Sequence, residues 1–164
     1  YKSCDFCSQA VKRGHTIRVI QTRHARHFIG PITFEGLTGH PVYTDTFDNA
    51  MDHIELGRWA DVFVVAPLTA NSLAKIAHGL CDDLLSTTIC ATPLNTPILL
   101  CPAMNTHMWT APMTQRNLEI LQSTQRYHFE MPVSKRLACG DVGVGGLADP
   151  ATILTTCESL CSNS

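Results

Sequence analysis

The sequence lacks a strong excess of charge, a long apolar run and an opening segment of the secretory type. Twelve Lys and Arg against 14 Asp and Glu give a formal net charge of −2, which argues against electrostatic attraction to nucleic acid or an anionic membrane. The longest apolar runs, such as 62–66 and 98–101, are far too short to cross a bilayer. We therefore expect a cytoplasmic protein whose partners include neither nucleic acid nor a membrane.

A cysteine pattern of the disulfide or zinc type is also missing, although the chain has eight cysteines. They are irregularly spaced and lie mostly in apolar or helical stretches, where a free cysteine behaves as a small hydrophobic residue. Cys4 and Cys7 have zinc-ligand spacing, but no second pair of matching spacing completes a site. We expect reduced thiols in a reducing compartment, and no metal.

The 164 residues, 45% of them hydrophobic, are enough for one domain with a substantial core. Predicted strands alternate with predicted helices, which indicates an α/β fold: a single Rossmann-like domain with a parallel sheet and helices on both faces. Pro67 and Pro102 are expected to end two buried strands. The strands are predicted at 16–21, 61–66, 98–101 and 127–131, the helices at 3–13, 22–28, 31–39, 70–78, 83–91, 112–123 and 150–160, and loops at 40–52 and 140–146.

Ligands of such folds bind beyond the carboxyl ends of the strands, so the segments after Ala66 and Cys101 are the first candidates. Residues 67–72 lead into a helix whose free N–H groups suit a phosphate or a flavin edge. An ordinary helix cap by Thr69 or Ser72 is the alternative. Asn105 has amide donors that suit a carboxylate, or it bonds to its own backbone in a turn.

Three further side chains have chemistry that a site would use. His53 suits a base or a substrate ligand near neutral pH, or it belongs to the start of a short helix. Arg58 suits an anion, or it is a solvated surface residue. Cys139 lies beside glycines and suits proton delivery or redox chemistry, or it is one more structural thiol.

Two segments are most specific in combination: Pro102-Ala103-Met104-Asn105 and the downstream Ala138-Cys139-Gly140-Asp141. Their order and spacing closely resemble the homo-oligomeric flavin-containing cysteine decarboxylases. The resemblance extends over nearly the whole chain, through residues 13–15, 22–31, 53–61, 67–85, 102–112 and 137–150.

The resemblance implies a flavodoxin-like domain that binds FMN at the contact of a homotrimer, sometimes assembled into a dodecamer. It implies that His53, contributed across a subunit interface, Asn105 and Cys139 are catalytic, with Cys139 as a proton donor on a flap. Asn105, Met108 and Ala138 would bind substrate. The residues expected to contact the cofactor are Thr22, Phe28, Arg58, Pro67, Thr69, Ala70, Asn71, Ser72 and Met104.

The activity that the resemblance implies is oxidative decarboxylation of 4'-phosphopantothenoylcysteine to 4'-phosphopantetheine in coenzyme A biosynthesis. The flavin oxidises the thiol-bearing carbon, which creates the electron sink that loss of CO2 requires. The family's amino-terminal strand and phosphate loop would lie before Tyr1, where the chain already has helical character, and we expect such a segment to precede it.

Three alternatives remain open. A sister branch decarboxylates the carboxy-terminal cysteine of peptides and stops at the enethiol; the segment around Cys139 favours the coenzyme A enzyme over it. A non-catalytic FMN-binding regulator of a protein phosphatase would have no use for His53, Asn105 and Cys139 together. A flavodoxin-like electron carrier explains the fold but gives Asn105 and Cys139 no role.

Overall fold

The computed structural model describes residues 1–46, 51–136 and 142–162. Within them, strands and helices alternate along the chain. The strands are β1 (Val19–Ile20), β2 (Val42–Tyr43), β3 (Phe63–Leu68), β4 (Ile98–Pro102), β5 (Tyr127–Phe129), β6 (Val133–Arg136) and β7 (Val142–Gly146). The helices are α1 (Lys2–Lys12), α2 (Pro31–Thr38), α3 (Asp52–Trp59), α4 (Ala70–His78), α5 (Leu84–Ala91), α6 (Thr106–Thr110), α7 (Pro112–Gln122) and α8 (Pro150–Ser162), with a 3-10 helix at Ala25–His27.

The strands form two parallel sheets and one antiparallel hairpin. β3, β4 and β5 pair in parallel in that order, β1 pairs in parallel with β2, and β6 pairs antiparallel with β7. In the described residues no backbone ladder joins β1 to β3. Side chains from both sheets, Ile20 on one side and Val62 and Val64 on the other, line a cavity between them.

Strand β4 shows how the core is divided, because its successive side chains point to opposite faces of the sheet. Leu99 and Cys101 pack on one side in a cluster with side chains of α1, α2 and α8. Ile98 and Leu100 pack on the other side with side chains of α4, α5 and α7. Helices therefore cover both faces, and the predicted α/β fold is confirmed.

Several helix boundaries follow the sequence signals. Gly30 and Pro31 begin α2, and Gly39 ends it in the left-handed conformation that glycine accepts at no steric cost. Gly79 ends α4 in the same way. Asp83 begins α5 with a capping box that Ser86 completes.

Five sequence expectations need correction. β3 continues through Pro67, because the ladder to β4 is irregular between Val65 and Leu68 and a residue without an N–H fits such a break. β4 likewise includes Pro102. The loop predicted at 40–52 contains β2, and the glycine-rich loop predicted at 140–146 contains β7. The 22–28 segment forms only a 3-10 turn.

No helix in the described part of the chain is both long enough and apolar enough to cross a membrane.

Candidate active site

Two of the predicted segments leave the sheet side by side. Leu68 at the end of β3 is in register with Pro102 at the end of β4. The N–H of Ala103 donates to the carbonyl of Leu68 at 3.0 Å. The segment Pro67–Ser72 and the segment Met104–Asn105 therefore begin next to each other at the carboxyl edge of the sheet, where α/β folds bind ligands.

The start of α4 offers backbone donors at this edge. Thr69 is the N-cap residue, and its Oγ1 accepts from the N–H of Ser72 at 3.2 Å. In the described residues no hydrogen bond uses the N–H of Ala70 or Asn71. The cap interpretation is correct for Thr69, and it leaves two donors and the positive end of a helix facing outward.

Asn105 is the N-cap residue of α6. Its Oδ1 accepts from the N–H of His107 at 2.8 Å. The alternative interpretation, an asparagine that bonds to the nearby backbone, is therefore correct for the carboxamide oxygen. Because this bond sets the orientation of the carboxamide, it also sets the direction of the nitrogen, which is the donor that a substrate carboxylate would require.

The β6–β7 hairpin lies directly on the Met104–Thr106 segment. The N–H of Met104 donates to the carbonyl of Gly145 at 2.9 Å. A side chain at Gly145 would collide with the carbonyl oxygen of Met104, and one at Gly143 would collide with Oγ1 of Thr106. Sequence reasoning missed both glycines as site residues, although their i, i+2 spacing puts them on one face of a strand.

Residues 137–141, which separate β6 from β7 in the sequence, lie outside the described residues. They include Ala138 and Cys139, so the substrate-binding and proton-donor roles of these two residues stay predictions. The described strand β7 lies against Met104, and the segment that carries Cys139 is joined to it.

His53 lies in the first turn of α3. A helix that leads into a parallel strand begins at the carboxyl edge of the sheet, so His53 is on the same edge as Thr69 and Asn105. Its Nδ1 is buried and has no hydrogen-bond partner in the described part of the chain. Among the described hydrogen bonds, none joins His53 to the Thr69 or Asn105 segment. Arg58 is exposed in the last turn of the same helix.

The segment after β1 borders this edge as well. Oγ1 of Thr22 accepts from the N–H of Ala25 at 3.4 Å, and buried Gln21 donates to the carbonyl of Ile29 at 2.8 Å. The ring of Phe28 is 88% exposed, which leaves an apolar surface beside the site. Met108, also predicted to touch substrate, is 49% exposed.

The cysteines separate into buried and exposed ones. Burial raises the pKa of Cys7 and of Cys157 to about 12, and it raises the pKa of Cys101 as well. These thiols are not nucleophiles at neutral pH, which agrees with the structural role predicted for them. Cys81, Cys90 and Cys161 are exposed.

A protein-family model described as "Flavoprotein" matches residues 1–162. The chain belongs to this family. The expected resemblance to flavin-containing proteins is thereby confirmed, and a flavin is the cofactor class of this flavoprotein.

Two curated relatives share about two fifths of its residues. A probable phosphopantothenoylcysteine decarboxylase of Streptococcus mutans is 40% identical over 162 residues, which is 96% of this chain and 90% of the relative. The coenzyme A biosynthesis bifunctional protein CoaBC of Bacillus subtilis is 41% identical over 162 residues, 96% of this chain. This flavoprotein spans only 39% of the length of that bifunctional relative.

Two solved structures have the same fold. A PPC decarboxylase mutant in complex with pantothenoylaminoethenethiol superposes with a TM-score of 0.84 at 36% identity, covering 99% of this chain and 91% of the other. The FMN-binding protein AtHal3 superposes with a TM-score of 0.82 at 36% identity, covering 99% and 90%. The predicted fold class and the identification with the cysteine decarboxylases are both confirmed.

Proposed function

We propose that this flavoprotein decarboxylates 4'-phosphopantothenoylcysteine to 4'-phosphopantetheine in coenzyme A biosynthesis, with FMN as its cofactor, in the cytoplasm. The observation that carries the proposal is the adjacency of two motifs: the Thr69 helix start and the Asn105 segment emerge from neighbouring strands, and β7 is bonded to Met104 beside Asn105. The named activities of its relatives in coenzyme A synthesis favour this substrate over a peptide.

The residues at the carboxyl edge fit a flavin. The outward N–H groups at the start of α4 suit an acceptor edge, and the exposed ring of Phe28 suits an aromatic face. We propose that the cofactor is held by Thr22, Phe28, Arg58, Pro67, Met104 and the segment Thr69–Ser72. When bound, the flavin supplies a two-electron oxidation at the carbon beside the thiol and later reverses it.

The residues after β4 would orient the substrate. The carboxamide nitrogen of Asn105 would donate to the carboxylate that leaves as CO2, and Met108 would contact the adjoining chain. A neutral donor suits this task, because it fixes the carboxylate without the charge that would hold it too firmly to leave. Glycines 143 and 145 let β7 approach closely enough to keep water away from this point.

Cys139, with Ala138 beside it, would deliver the proton that completes the saturated thiol product. We propose that Cys139 acts on substrate bound at Asn105; strand β7, which follows Cys139 in the sequence, is bonded to Met104 in the neighbouring segment. Without that thiol the reaction would still release CO2 but would stop at the enethiol.

We further propose a homotrimer, or a dodecamer assembled from such trimers, in which His53 and Arg58 act in the site of a neighbouring subunit. Two observations support this: the buried Nδ1 of His53 has no described partner, and Phe28 and Ile32 are 88% and 80% exposed. Co-expression tests it. If His53→Ala and Asn105→Asp chains share oligomers, each inactive alone, mixed oligomers should recover part of the activity. No recovery would place both residues in one subunit's site.

The chain as a whole, residues 1–164, is proposed to act as one flavin-binding decarboxylase domain. The cavity between β1 and β3 has apolar walls from Ile20 and Val64 and separates two parallel sheets that share one core cluster. We propose that a further parallel strand lies there and joins them into a single sheet. An amino-terminal strand followed by a phosphate loop is our candidate for it.

The full-length protein is the right material for the test of activity. Incubated with 4'-phosphopantothenoylcysteine, it should turn the substrate into CO2 and a saturated thiol, and Cys139→Ser should accumulate the product that is two hydrogens lighter. Conversion of a peptide with a carboxy-terminal cysteine, but not of the small substrate, would favour the sister activity. A yellow protein without CO2 release from either substrate would contradict the proposed enzyme.

A further inference from the structure

Two exposed thiols lie close together at the opposite, amino edge of the sheet. Cys81 belongs to the connection between α4 and α5, and Cys90 lies in the last turn of α5. Sγ of Cys81 is 3.6 Å from the carbonyl oxygen of Gly79 and 3.9 Å from that of Ser86. Gly79 and Ser86 line one surface cavity together with Cys90, which is one helical turn beyond Ser86. Cys90 therefore lines this cavity, and the thiol of Cys81 contacts Ser86, another residue of its wall.

The surroundings of the two thiols agree with this geometry. Partial burial raises the pKa of Cys81, and hydrogen bonding and charge from the neighbouring Cys90 raise it further. This shift agrees with the proximity that the contact between Cys81 and Ser86 indicates. The cavity beside them is also lined by the cationic residues Lys75 and Arg126.

The other neighbouring cysteines in the described residues lack this accessibility. Cys4 and Cys7 are close on α1, and Cys157 and Cys161 are close on α8, but Cys7 and Cys157 are buried. A thiol without solvent access does not reach a soluble oxidant. Within the described part of the chain, two exposed partners meet only at Cys81 and Cys90.

We propose that Cys81 and Cys90 form a dithiol modification site, which a low-molecular-weight disulfide such as oxidised glutathione converts reversibly to an intramolecular disulfide. One thiolate attacks the glutathione disulfide, forms a mixed disulfide and releases one glutathione thiol. The second thiolate attacks the protein sulfur of the mixed disulfide and releases the other. The two protein thiols lose two electrons and two protons, and one glutathione disulfide gains both.

The scaffold around the pair favours closure of the protein disulfide over a lasting mixed one. Lys75 bonds to Asp82 at 2.7 Å and to Asp83 at 2.8 Å, which holds the segment next to Cys81. Arg126 donates to the carbonyls of Ile89 and Thr92 at 2.9 and 2.7 Å, which holds the end of the helix that carries Cys90. Because both attachment points are fixed, the second thiol has a high effective concentration.

The experiment exposes the full-length protein to glutathione buffers of rising oxidised fraction, quenches it with an alkylating agent and maps the peptides by mass spectrometry. We expect a Cys81–Cys90 linked peptide that disappears on reduction. Cys81→Ser and Cys90→Ser should each stop at a mixed glutathione disulfide on the remaining thiol. Cys161→Ser, which changes an exposed cysteine outside the pair, should behave like the unaltered protein.

The readout covers each cysteine separately and does not depend on decarboxylation. Stable mixed disulfides at Cys81 and Cys90 in the unaltered protein would overturn the proposal, because they would show that the thiols do not reach each other. Alkylation of both thiols at every buffer composition would overturn it as well. A linked peptide joining either cysteine to Cys161 would assign the reaction to a different pair.

Discussion

The polar groups at the two edges of the central sheet differ in how completely they are hydrogen-bonded. At the amino edge, Lys75 bonds to two aspartates, Asp83 and Ser86 cap each other, and Arg126 bonds to two carbonyls. At the carboxyl edge, buried polar atoms lack a partner within the described residues: Oε1 of Gln21, Nδ1 of His53 and Oγ1 of Thr106. Nε of Arg126 is the exception at the amino edge.

We infer from this difference that the amino edge is structural and that the carboxyl edge binds a ligand. A buried polar atom without a hydrogen bond costs roughly 1–3 kcal/mol, so each of these atoms is expected to find a partner in a ligand, another subunit, ordered water or a residue outside the described ranges. We therefore expect substitutions at the amino edge to weaken the fold. Substitutions at the carboxyl edge should leave the fold intact and impair the reaction. The following predictions test that division.

Asn105→Asp should have the largest effect. Aspartate caps a helix as well as asparagine does, so the bond to the N–H of His107 is retained and the fold should not change. The carboxylate would, however, face the substrate's own carboxylate and repel it. We expect kcat/KM to fall by about 10³-fold or more, with an unchanged thermal midpoint and flavin absorbance. Normal turnover would remove Asn105 from the site.

Gly145→Val should come next. The added side chain would collide with the carbonyl oxygen of Met104 and lift β7 from the Asn105 segment. A displacement of about 1 Å near reacting atoms costs on the order of 10²-fold in rate. Gly36→Ala is the matched control, because nothing lies within 4 Å of a side chain at Gly36 in α2. Equal losses in the two variants would contradict the role of β7 in the site.

A pair of cap mutations compares the edges directly. Thr69→Ala and Asp83→Ala each remove an N-cap bond, from α4 and from α5, which should cost about 1 kcal/mol of unfolding free energy. Asp83→Ala also removes the bond to Lys75, so its loss of stability should be the larger. Only Thr69→Ala should also weaken flavin binding, because α5 starts at the other edge. Denaturant melts and flavin fluorescence titrations measure the two effects. Weaker flavin binding in Asp83→Ala alone would reverse the assignment of the edges.

Much of the fold could be predicted because its signals are local. Gly30 with Pro31, Gly39 and Gly79 mark helix ends through backbone geometry that few other residues tolerate. The continuous apolar residues of β4 indicate a strand buried on both faces, as observed. Such signals depend on a few neighbouring residues, so they can be recognised without knowledge of the tertiary contacts.

The features that could not be predicted depend on contacts between residues that are distant in the sequence. β3 continues through Pro67 because its ladder to β4 is irregular at that point, which the sequence of β3 alone does not reveal. The glycines of β7 were predicted to belong to a loop. Glycine is required there because Met104 and Thr106 approach the strand closely, and these residues are distant in the sequence. In the site, Thr69 and Asn105 were predicted from motifs, but their adjacency comes from strand register.

The smallest predicted effect concerns a surface ion pair between α8 and the segment that follows α1. Glu158 on α8 bonds to His15 and to Arg13, both at 2.9 Å. The hydrogen bond from His15 and the charge of Arg13 lower the pKa of the Glu158 carboxyl below its ordinary value of 4.5. A carboxyl whose pKa is lower in the folded state stabilises the fold above the unfolded value, and this contribution is lost as pH falls through the folded value.

Glu158→Gln should therefore lower the thermal midpoint slightly near neutral pH, and the difference from the unaltered protein should vanish at pH values below the lowered pKa. The effect is small because exposed ion pairs are screened by water and salt. Glu35→Gln, which changes an exposed carboxyl on α2 outside this ion pair, is the control. A difference for Glu158→Gln that grows as the pH falls would have the wrong sign, and the ion pair would then not join α8 to the end of α1.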